Sequence, residues 1–87
     1  MARQITQDQI DQLKKLRGTL ITTASIDNKI GTVTHIKQIL KDIDMLSSFS
    51  SGVSNELISL NIYREKYENF ATLKSVIDNA IDYYESL

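Results

Sequence analysis

Eighty-seven residues without cysteine bound this chain to a single domain and exclude disulfides and thiolate metal sites. Ten basic and eleven acidic side chains leave a net charge of −1, which excludes the strong positive field that nucleic acid or an acidic membrane surface requires. No apolar run approaches the ~20 residues of a membrane span, and the opening MARQITQDQID turns polar too early for a cleavable signal. The expectation is a chain without membrane insertion, cytoplasmic or exported without a signal peptide.

Proline is absent and glycine occurs only at Gly18, Gly31 and Gly52, so few residues oppose helix and the fold class reads as all-α. Thr6 with Gln9 three residues on forms a capping box at the start of the first helix. Ile10, Leu13, Leu16 and Leu20, then Ile26, Ile30, Val33, Ile36, Leu40, Ile43 and Leu46, recur at helical steps. The pattern predicts one helix over 6–47, uninterrupted or broken near residues 25–32, where Asp27, Asn28 and Gly31 offer cap and turn chemistry. The serine-rich 48–53 then reads as a turn. Ser54 caps a second helix over 54–86, whose stripe runs through Leu57, Leu60, Tyr63, Tyr67, Phe70, Leu73, Ile77, Ile81 and Tyr84.

Helices of those lengths would span roughly 60 and 50 Å and suit an antiparallel two-helix hairpin within one helical domain, 1–87; a three-helix bundle is the alternative if the first helix breaks. A lone hairpin buries one seam per helix, yet the stripes are broader than that. Ile36, Ile39, Ile43, Ile58, Ile62, Tyr63, Phe70 and Val76 are the candidates for an interface that completes a four-helix bundle with a protein partner or a second copy. Phe49 is expected to pack into the end of that bundle.

Candidates for chemistry are sparse. His35 is the only histidine, and without cysteine it forms no familiar zinc set or Cys/His dyad. Asp78 and Asp82 share a helix face, which in the absence of further ligands reads as a solvated acidic surface. The tyrosines of the second half lack the interleaved basic residues of a nucleic-acid stacking surface. The chain is therefore expected to be no enzyme, with no catalytic, metal or cofactor-binding residues, and to bind no nucleic acid.

The order helix, short turn with an aromatic and a glycine, helix resembles the small WXG-type proteins of bacterial type VII secretion systems. It is carried by ITQDQIDQLKKL, by IKQILKDIDMLSS leading to the turn, and by the closing SVIDNAIDYYESL. Where the family has Trp-x-Gly, this chain has Phe49 and Gly52 separated by two serines, and the family's C-terminal Tyr-x-x-x-Asp export signal is absent. In this the chain is closer to the accessory proteins that accompany LXG-type toxins. The resemblance implies a non-enzymatic hairpin that pairs with itself or acts as a chaperone or targeting factor on the helical domain of a larger secreted toxin. A second expectation, from the residues alone, is an intracellular phage- or bacteriocin-linked regulator or immunity-type protein that binds one protein target.

Overall fold

A computed structural model describes residues 5–87. Those residues form four α-helices, α1 (Gln7–Thr22), α2 (Ile26–Asp44), α3 (Ser48–Tyr63) and α4 (Phe70–Glu85), with a 3-10 turn, Arg64–Lys66, between the last two. The all-helical class agrees with the sequence. The two long helices over 6–47 and 54–86 do not, because each is divided, and the arrangement is neither the two-helix hairpin nor the three-helix bundle.

The start of α1 follows its local code. The Thr6 hydroxyl accepts from the Gln9 backbone N–H at 3.1 Å, and the Gln9 side chain accepts from the Thr6 N–H at 3.0 Å. That reciprocal pair closes two of the donors a helix N-terminus leaves unsatisfied. At the other end Thr23 turns extended, and Ser25 caps α2 by accepting from the Asn28 N–H. The break thus falls over residues 23–25, at the edge of the stretch expected, and Asp27, Asn28 and Gly31 are all helical. The Ser25 hydroxyl supplies the local signal, because it caps a new helix start in place of a continued turn.

The serine-rich stretch corrects the sequence reading more strongly. Residues 48–53 are not a turn but the opening of α3, and the cap is Ser47, whose hydroxyl accepts from the Ser50 N–H at 3.0 Å. Packing explains why the helix begins so early. Phe49, Val53 and Leu57 follow at four-residue steps, and Val53 is fully buried. Gly52 lies where α3 crosses α4: a Cβ there would sit 3.2 Å from a Val76 methyl. The glycine permits close approach of two helices instead of a turn.

The second predicted helix ends at Tyr63 because Arg64 adopts φ 52°, ψ −120°, which an α-helix does not accommodate. A 3-10 turn and Asn69 then reverse the chain into α4. Neither glycine nor proline marks this reversal. Tyr67 still reaches the core from the link, so the apolar spacing runs on through a stretch that is not α-helix.

Each helix packs against two neighbours, α1 on α2 and α4, α3 on α2 and α4. Ion pairs Lys14 to Glu85 and Arg17 to Asp78 join α1 to an antiparallel α4. The longest dimension is 40 Å, well short of the roughly 60 Å of the expected hairpin. Leu13, Val33, Ile36, Leu40, Val53, Leu60, Leu73 and Ile77 form the centre of the core with no exposed area. Four stripes facing one another bury what two could not.

Candidate functional site

Burial divides the eight interface candidates. Ile36, Ile39 and Ile43 of α2 belong to the core, with Ile36 fully covered by this chain's own helices, so they are not a docking surface. The broad α2 stripe that suggested a partner is met by α1 and α3 within the same chain. Val76 is half-buried against Gly52. Phe70 is half-buried with its ring edge-on to Tyr67, centroids 4.7 Å apart, and the Lys29 ammonium 4.8 Å from its centre.

The remaining three are exposed near the C-terminal end of α3. Ile58 and Ile62, one turn apart, are 59% and 68% exposed, and Tyr63, next around the helix, is 59% exposed. Tyr63 also borders a concavity of about 320 Å³ lined by Ser59, Lys66, Tyr67, Glu68 and Asn69. The end of α3 therefore presents two branched aliphatics on one face and, about a quarter-turn away, an aromatic that borders a polar hollow. Met45 and Leu46, in the link between α2 and α3, add exposed apolar side chains.

The platform beneath this face is held by contacts that reach across the sequence. The Tyr67 hydroxyl donates to Glu56 Oε1 at 2.5 Å, with the Asn69 carbonyl 3.2 Å away. Burial, and then the bond to the Glu56 carboxylate, push the Tyr67 phenol above its ordinary pKa, so it stays a neutral donor at physiological pH. Arg64 donates to Asp27 at 2.6 Å, and that bond and charge raise the guanidinium's pKa further. The α3 C-terminus is thus tied to the start of α2, and its return link to the middle of α3.

Phe49 packs where expected, at the end of the bundle, against Tyr83 and Tyr84 with centroids 5.6 and 5.7 Å apart. Phe49 and Gly52 are both helical and half-buried on α3, engaged with α4. His35 is exposed on α2. Asp78 accepts from Arg17 at 3.2 Å and lies 3.5 Å from Lys74, so it is a structural anion on α4, while Asp82 is exposed. Among the described residues no three histidine or carboxylate side chains gather as a metal site, and no helix is long and apolar enough to cross a membrane.

Comparison of the chain with protein families, characterised proteins and solved structures returns no match.

Proposed function

We propose that this chain is a non-enzymatic protein-binding module, a helical domain that covers its own core and engages one protein partner through the outer face of α3. The observation that carries this reading is the pair Ile58 and Ile62, large apolar side chains left in water one turn apart on the outer face of α3, with Tyr63 exposed about a quarter-turn away. Covering two exposed isoleucines and a tyrosine removes apolar area worth several kcal/mol at about 25 cal/mol per Å². Apolar and aromatic groups of this kind anchor protein interfaces.

The expectation of a regulator or immunity-type protein that binds one target gains from the way four helices of a single chain satisfy one another's stripes. The narrower reading, an accessory that docks on the helical domain of a type VII-secreted toxin or on a second hairpin, rests on the layout of the sequence. Phe49 and Gly52, its two motif-like residues, are engaged within the chain, so that reading would also use the α3 face.

The test is mass by light scattering, alone and mixed with the products of adjacent genes. One such product should form a complex of defined stoichiometry, and an Ile58→Ser, Ile62→Ser double variant should fold normally yet lose it. A complex unaffected by that variant removes the α3 face from the proposal. A stable self-dimer that the variant dissolves replaces the partner with a second copy.

A further inference from the structure

Away from the α3 face, one concavity joins an apolar lining to an excess of one charge. It lies at the end of the molecule where α1 finishes and α2 and α4 begin, and is lined by Leu20, Ile21, Lys29, Phe70 and Lys74. Its walls are set by packing. Leu20 is buried, and the Phe70 ring is held by the edge-on contact with Tyr67. Ile21, 57% exposed, extends the apolar surface at the mouth.

The charge is one-sided. Among the described residues Asp78 answers both Arg17 and Lys74, and Lys29 adds a third cation, drawn over the Phe70 ring at 4.8 Å from its centre. A cation over an aromatic face sits beside apolar surface with part of its hydration lost, which strengthens its attraction for an arriving anion. The volume, about 220 Å³, is below the roughly 300 to 1,000 Å³ of clefts that enclose a free small molecule. It suits one inserted side chain, with the rest of the ligand lying outside.

We propose that this pocket receives one apolar side chain from an acidic segment of a partner protein, with the flanking carboxylates meeting Lys29 and Lys74. The inference rests on the protein-binding reading but assigns a face separate from Ile58 and Ile62. The apolar floor supplies burial, and the two ammonium groups select acidic flanks and reject basic ones by like-charge repulsion.

The experiment is a titration of the isotope-labelled full chain, followed by amide shifts, with a blocked hexapeptide in which glutamates flank a leucine–phenylalanine pair. Saturable shifts should appear at Ile21, Lys29, Phe70 and Lys74. Binding should weaken by roughly tenfold in Lys29→Gln, further in the Lys29→Gln, Lys74→Gln pair, and with added salt, since opposed charges at a surface are screened. Both variants should melt within a few degrees of wild type, since Arg17 still holds Asp78 and the Phe70 ring keeps its contact with Tyr67 when the exposed cation is lost. Peptides with lysine for glutamate, or with alanine for the apolar pair, should give no saturable shifts.

Shifts that are absent, or that fall on Ile58 and Ile62 instead, overturn the pocket while leaving the α3 proposal standing. Saturation by 3-phenylpropionate as tight as by the peptide also overturns it, assigning the pocket to a free carboxylate. The Ile58→Ser, Ile62→Ser variant should bind the peptide like wild type, so the two proposals fail separately.

Discussion

Tyr67→Phe removes one oxygen from a buried side chain and leaves its ring contact with Phe70 intact. The lost bond runs to the Glu56 carboxylate at 2.5 Å, and hydrogen bonds to charged groups contribute about 1.5 to 3 kcal/mol. Glu56 is half-buried, so water replaces part of that bond, and the expected destabilisation at neutral pH is about 1 to 2 kcal/mol. In a domain of this size that lowers the melting temperature by roughly 4 to 15 °C. A second signature separates the hydroxyl from general packing. The folded-state pKa of Tyr67 is raised above its unfolded value, so the folded chain holds this proton at pH values where the unfolded chain releases it. Its contribution is whole below about pH 10 and declines above that, by up to about 1.4 kcal/mol per pH unit. Circular dichroism melts at neutral pH and between about pH 9 and 11 should show Tyr67→Phe less stable at neutrality but less sensitive to alkali than wild type. Melting within a degree or two of wild type, or an equal alkaline loss in both proteins, would refute the bond to Glu56.

Other substitutions test the remaining links. Ser47→Ala should cost about 1 kcal/mol in chemical denaturation by leaving the Ser50 N–H without its cap, whereas Ser54→Ala, inside α3, should cost under about half of that. Equal effects would place the helix start elsewhere. At Arg64, Gly should be more stable than Ala by about 1 kcal/mol in the same assay, because both lose the bond to Asp27 but only glycine adopts φ 52°, ψ −120° without strain. An alanine variant as stable as glycine would show an unstrained backbone there. Phe49→Ala should lose about 2 to 3 kcal/mol and alter the near-ultraviolet signal of Tyr83 and Tyr84; an unchanged melting temperature would show the ring contacts to contribute nothing.

Helical content and the capping box at Thr6 were legible because both depend on residues three or four apart. The start of α3 was also present in the spacing of Phe49, Val53 and Leu57. It was obscured by reading serine and glycine as turn formers, which they are only when packing does not favour helix. The reversal after Tyr63 had no local signal: Arg64 accepts a conformation suited to glycine because Asp27, thirty-seven positions away, and the buried Tyr67 hold the link in place. The candidate site divided for the same reason. Ile36 and Ile58 are both isoleucines in an apolar stripe, and nothing in either one's neighbours along the chain distinguishes a residue with no exposure from one that is 59% exposed.

The chain by itself determined that the fold is all-helical and how the first helix is capped at Thr6, since periodicity and hydroxyl placement act within a turn or two. Only the tertiary structure decided that there are four helices, that the α2 stripe faces this chain's own core, and that α3 carries the apolar face left in water. Those outcomes depend on which stripes meet, and burial is a property of pairs of helices, not of any one sequence window.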